Sequence, residues 1–230
     1  MVFSYEETVF LTSQPERRTV TLRKGEGQAC RPLSCNCGRL PIGTVRLYRG
    51  DPMPLDPDTL TLKTARLSLK PFSLRDADEA FSCISPSLTR FMTWDPPASR
   101  QEFDSIWSEW LTGAADGNEF VFAVRHRTTD QFLGLAGLHR LRSDSPELGI
   151  WIREDKQGMA FGREAVQAVL EWASTISHAP GFCYPVAEEN VASRKIAESL
   201  GGQIVGHQST PKYESVTYQI PRLSADRPAG

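Results

Sequence analysis

One uninterrupted stretch, Glu147 to Ala173, restricts the fold more than any other part of the chain. Leu148 to Ile152 is apolar and aromatic, as a buried strand requires. A loop follows in which Gly158, Ala160 and Gly162 alternate with Gln157, Met159 and Phe161. Apolar residues then recur at 165, 166, 169, 170, 173 and 176, which lays one stripe of a helix against a core. The first turn of such a helix has amides without internal partners, and its dipole adds positive charge there. Small side chains in the loop let a bulky anion reach those amides, and a phosphate or diphosphate is the natural guest.

The loop is not a nucleotide-hydrolysing P-loop, because Gly162 is followed by Arg163 and Glu164 rather than Lys and Ser or Thr. Nor does the 158, 160, 162 spacing fit the dinucleotide fingerprint. Gln157-Gly158-Met159-Ala160-Phe161-Gly162 does resemble the Gln/Arg-x-x-Gly-x-Gly/Ala signature of the GNAT N-acetyltransferases. In that family this loop cradles the diphosphate of acetyl-coenzyme A. Gln157 and Ala160 stand where Arg and Gly are commoner. Downstream, ENVASRKIAESLGG resembles the family's Asn-x-x-Ser-…-Leu-Gly-Phe element, with Gly202 in place of the Phe. Asn190 and Ser193 would then lie near the pantetheine arm; Asn190 is equally a good helix N-cap. TARLSLKPFSLRDADEAF and TRFMTWDPPASRQEFDSIWSEWL are similar to the branch containing the ribosomal-protein alanine acetyltransferases. In the latter, Ser99 to Glu102 has capping-box spacing and predicts a helix start. FVFAVRHRTTDQFLGLAGLHRL reads as a hairpin turning at Thr128-Thr129-Asp130. The resemblance runs from Leu62 to Pro221.

The resemblance implies a mostly antiparallel, strongly twisted mixed sheet flanked by helices, an α/β fold whose fourth and fifth strands splay apart. Those strands fall at Leu148–Ile152 and about Phe182–Ala187. It further implies acetyl-coenzyme A as co-substrate. Backbone groups of Ile150, Trp151 and Ile152 would pair with the pantetheine, and Gln157, Gly158, Met159, Ala160, Phe161 and Gly162 would hold the diphosphate. The acceptor it implies is a primary amine. A lysine of pKa about 10.4 pays about 4.6 kcal/mol to be neutral at pH 7, whereas an α-amine near pKa 7.8 needs only about 1.1 kcal/mol. A protein or peptide N-terminus is therefore the better match, with a small amine such as an aminoglycoside or polyamine next. Glu147 matches a Glu that many members of this branch carry before the fourth strand, and it is the candidate base; the other reading is an exposed strand-end carboxylate. Ala197 and Glu198 stand where many members have a Tyr, so no general acid is assigned, Tyr184 being on the preceding strand. An idle member that binds an acyl-coenzyme A or a partner protein is the competing reading.

Composition agrees. A chain of 230 residues with 40% hydrophobic content can bury one substantial core. A net charge of -2 offers no basic field for nucleic acid. No apolar run approaches the ~18 residues that span a membrane. The N-terminal residues lack the order of a signal peptide, so a cytoplasmic protein is expected. Five cysteines do not suggest a secreted disulfide scaffold. Cys30, Cys35 and Cys37 have no neighbouring fourth ligand, so no metal site is assigned, and Cys83 and Cys183 read as ordinary buried residues. Thr19–Leu22 and Thr44–Leu47 could be short strands, but residues 1–52 read as a weakly ordered extension, 53–222 as the acetyltransferase domain and 223–230 as a tail. Trp94, Trp107, Trp110 and Trp151 are expected in the core or on the acceptor side, with Ile106 and Trp110 packing; His139 is expected at a solvated strand end. A homodimer is as compatible with the sequence as a monomer.

Overall fold

The computed structural model describes residues 59–223. The expectations for residues 1–52, for Cys30, Cys35 and Cys37, and for nearly all of the tail lie outside them. Eight strands form one sheet in the order β1-β2-β3-β4-β5-β6-β8-β7. They are β1 (Leu62–Lys63), β2 (Leu67–Pro71), β3 (Phe120–His126), β4 (Phe132–His139), β5 (Glu147–Ile152), β6 (Gly181–Ala187), β7 (Gln203–Ser209) and β8 (Glu214–Pro221). All neighbours are antiparallel except β5 and β6.

Both faces of the sheet are covered, and the side-chain period of two divides the strands between them. Phe120, Phe122 and Val124 of β3 join a core with α4 (Phe161–Ile176) and α5 (Val191–Ser199). Val121 and Ala123 join a second core under α1 (Ala77–Cys83), α2 (Pro86–Thr89) and α3 (Arg100–Ala115). Along α4 the predicted stripe is buried at Ala165, Val166, Val169, Leu170 and Ala173. Trp172 presents its edge to Phe120 and Phe122, with ring centroids 5.0 and 5.3 Å away. Trp110 lies 5.2 Å from Phe72 in the second core, as packing spacing predicted.

The predicted hairpin is present, with Asp130 left-handed at its turn (φ 57°). The predicted start of α3 is present too, with Ser99 accepting the Glu102 N–H at 3.1 Å. Glu102 reaches one residue further back than a capping box requires, accepting from the Ala98 N–H at 2.7 Å. A buried ion pair ties the two layers: Arg125 donates to Asp76 at 2.8 and 3.0 Å and lies against the ring of Phe132. Two expectations are corrected. Cys83 and Cys183 are only half-buried, and the Cys183 thiol sits 2.8 Å from the Ser145 hydroxyl. His139 is not solvated but buried, because Gly137 leaves room for its ring; a Cβ there would be 2.4 Å from His139 Nε2.

Candidate active site

The site begins where the sheet fails to close. β4 and β5 pair at six positions and β6 and β8 at seven, but β5 and β6 pair only at Glu147 and Cys183. There the Cys183 N–H donates to the Pro146 carbonyl at 2.7 Å. Backbone groups alternate sides along a strand, so Pro185, two residues on, faces β5 as well and has no N–H to donate. The ladder stops, and the two strands diverge toward their C-terminal ends. The same alternation identifies the free edge of β5. Arg153 donates to Leu133 of β4, so Trp151 also faces β4, while Ile150 and Ile152 face the wedge. The Ile152 carbonyl already accepts the Gln157 side-chain amide at 2.9 Å, which pins the loop to the strand end. Trp151 contributes a buried ring to the second core rather than edge backbone groups.

Next comes the loop. Gly158 (φ 77°) and Ala160 (φ 62°) are both left-handed, and Ala160 caps α4. The first helical hydrogen bond is Glu164 N–H to the Ala160 carbonyl, 3.2 Å. No acceptor among the described residues takes the amides of Phe161, Gly162 or Arg163. Gly158, Met159 and Ala160 are exposed, and a Cβ on Gly158 would meet nothing within 4 Å. Gly162 lies close to α5, where a Cβ would be 3.2 Å from Ile196. Phe161 turns inward, 6% exposed, with the Arg66 guanidinium 4.5 Å from its ring centroid. Arg66 also donates to the Met159 carbonyl (3.0 Å) and to Glu164 (2.7 Å), bracing the loop from behind. Burial by itself would raise the Glu164 carboxyl, but hydrogen bonds from Thr64 and Arg66 outweigh it and hold it below its ordinary value. Its negative charge is thereby engaged away from the bare amides.

A cavity of about 570 Å³ runs through this wedge. From the α4–α5 face it is lined by Gly158, Gly162, Asn190 and Ser193, and from the opposite face by the segment Ser87–Met92. It is therefore a passage across the sheet. Among the described residues its charged lining is Arg90, Lys156, Arg163 and Lys195 against one carboxylate, Glu154. Hydrogen bonds from Ser87 and Ser85 lower the pKa of Glu154, so it is a weak base. Asn190 caps α5 through its side-chain oxygen, 3.1 Å from the Ser193 N–H. The Ser193 hydroxyl in turn lies 2.8 Å from that of Tyr184. Tyr184 is buried, and desolvation pushes its pKa up to about 12, with Ser193 pulling the other way. Sequence reasoning set Tyr184 aside, and the pairing depends on β6 and α5 meeting in space.

Glu147 does not line the cavity. It is buried at the closed end of the wedge, 2.7 Å from Arg140. Arg140 and His139 are arranged by Glu119, which accepts from the Arg140 N–H at 2.8 Å and lies 2.5 Å from His139 Nδ1. Burial raises the Glu147 carboxyl above its ordinary value against the pull of His139 and Arg140. It is thus not the exposed strand-end carboxylate. Among the described residues no group of His, Cys, Asp or Glu could hold a metal ion, and no helix is long and apolar enough to cross a membrane.

Comparison with known proteins agrees with this geometry. The chain is 26% identical over 149 residues to the uncharacterized N-acetyltransferase p20 of Bacillus licheniformis, covering 64% of this chain and 84% of that one. Among solved structures, it superposes on RimL, a ribosomal L7/L12 α-N-protein acetyltransferase in complex with coenzyme A. The TM-score is 0.64 at 14% identity, over 73% of this chain and 100% of that one. A spermidine N-acetyltransferase of Vibrio cholerae, solved with coenzyme A and spermine, gives 0.61 at 20% identity, over 69% and 97%. At these identities the structural matches speak to the fold. Residues 66–203, however, match the acetyltransferase (GNAT) domain family directly, in keeping with the splayed strands and the glycine loop, and the chain belongs to the GNAT N-acetyltransferases.

Proposed function

We propose that this acetyltransferase moves an acetyl group from acetyl-coenzyme A to a protein or peptide N-terminal α-amine in the cytoplasm. The observation that carries the reading is the passage through the sheet, open on one face at unpartnered amides and on the other at the segment Ser87–Met92. Donor and acceptor can then approach from opposite sides and meet inside. The amides of Phe161 to Arg163 would hold the diphosphate, with Lys156, Arg163 and Lys195 adding positive charge. The edge groups of Ile150 and the N–H of Ile152, which face the wedge, would pair with the pantetheine. Bound there, the donor supplies an activated thioester carbonyl, and an unpaired N–H of β5 would stabilise charge developing on its oxygen.

Glu147 is the proposed base; because it does not line the cavity, it would act through water from the closed end of the wedge, and its raised pKa brings it toward that of an α-amine. Ser193, at the cavity wall with the Tyr184 hydroxyl behind it, would return a proton to the departing thiolate. A polycationic acceptor fits less well. Glu154, the one lining carboxylate among the described residues, is already engaged by Ser85 at 2.9 Å, whereas a peptide α-amine brings a single charge.

Incubation with labelled acetyl-coenzyme A, a peptide library and a panel of small amines, read by mass spectrometry, tests the reading. Label on peptide α-amines is expected. Label on polyamines or aminoglycosides alone would overturn the acceptor assignment.

A further inference from the structure

Lys212 makes a contact that the reaction described above does not use. Its ammonium donates to the carbonyls of Trp94 (3.0 Å) and Thr89 (3.3 Å) and to the Asp95 carboxylate (2.7 Å). These partners lie 117 to 123 residues away in sequence. Lys212 sits at the tip of the β7–β8 hairpin, and the tip is stiff. Thr210 N–H donates to the Tyr213 carbonyl at 3.0 Å, and the Thr210 hydroxyl accepts from the Tyr213 N–H at 2.9 Å. An ammonium on a stiff turn fixes what it binds more firmly than one on a loose loop would.

The position of the clasp gives it meaning. β8 is paired to β6 as far as Ser215 and Ala187, so the hairpin tip lies just beyond the C-terminal end of β6. The clasped segment belongs to the other side of the wedge. Leu88 and Met92 are buried with Trp151 of β5 in the second core, and Ser87, Leu88, Arg90, Phe91 and Met92 line the passage. Lys212 therefore ties the two sides together across the open end, on the face away from α4. Lys212 is itself only 26% exposed, and all three of its acceptors belong to one segment.

We propose that Lys212 is a positioning residue that sets the width of the far opening and so selects which amines reach the donor. This rests on the reaction proposed above. Without the clasp the segment 87–95 keeps its apolar anchors but loses three polar ties, so the opening loosens while the donor loop is untouched.

The test compares wild type with Lys212→Met, which keeps the apolar stem, and with Asp95→Asn, which leaves the two carbonyl contacts. For Lys212→Met the acceptor KM should rise about tenfold, kcat should change less, and bulky acceptors should gain on small ones. Coenzyme A affinity, by calorimetry, should stay within about twofold. Asp95→Asn should shift the same quantities less. Amide hydrogen exchange should quicken in residues 87–95 of Lys212→Met and not in 157–163. An unchanged acceptor KM, or an equal loss of coenzyme A affinity, would overturn the assignment. A wild type that acetylates no amine would sink the reaction instead; the exchange readout then decides the clasp, and unchanged exchange in 87–95 refutes it.

Discussion

Gly158 offers a direct test of the anion site, because it separates charge from shape. A side chain there meets nothing within 4 Å, and its left-handed backbone (φ 77°) is one that Asp and Asn tolerate better than other residues. Gly158→Asp and Gly158→Asn therefore carry nearly the same backbone cost and differ by one negative charge. A carboxylate about 6 Å from a phosphate, at an effective dielectric of about 40, repels it by about 1.4 kcal/mol, a tenfold loss in affinity. Calorimetric titration with coenzyme A at low ionic strength should show this gap between the two variants. At about 0.5 M salt, where the screening length falls to roughly 4 Å, most of it should close. Equal affinities for the Asp and Asn variants, or a gap indifferent to salt, would mean that the diphosphate does not lie against residues 158–163.

Three further variants test the same geometry. Ala160 is left-handed, which costs an L-residue about 1–2 kcal/mol, partly offset by the greater freedom of unfolded glycine. Ala160→Gly should therefore stabilise by about 1 kcal/mol in urea denaturation, and a destabilised variant would contradict the backbone described. Glu147→Gln should lower kcat by about 10² or more while coenzyme A affinity holds, an unchanged rate removing Glu147 from the chemistry. The same variant has a pH signature. Folded Glu147 holds its proton more tightly than the unfolded chain does, so wild type loses stability relative to Glu147→Gln as pH rises from the ordinary carboxylate range through the raised value. Denaturation midpoints between pH 4 and 7 that ran in parallel would refute it. Arg66→Ala removes the brace on Met159 and Glu164 and should weaken coenzyme A binding by about fivefold, on the scale of one hydrogen bond, with little change in acceptor KM.

Much of the fold was legible because its signals are local. The spacing 165, 166, 169, 170, 173 identifies the buried stripe of α4, and Ser99 with Glu102 marks the start of α3 to the residue. The turn at Thr128 to Asp130 was equally visible. Pro185 was a readable but unread signal, since a missing N–H inside a buried strand foretells a break in the ladder. His139 was misread because its burial depends on Gly137 across two residues of strand, a packing fact that hydropathy does not carry.

The sequence by itself determined the order of strand, loop and helix, since periodicity and small-residue spacing act over a few residues, while the family entered through the resemblance of its motifs and the match over residues 66–203. The tertiary structure decided which of those residues meet. Tyr184 reaches Ser193, Arg66 reaches the loop and Lys212 reaches Asp95 only because the chain folds back across the sheet. It also decided that Trp151 turns its backbone away from the wedge while Ile150 faces it, because the pairing of β5 with β4 and β6 sets that choice.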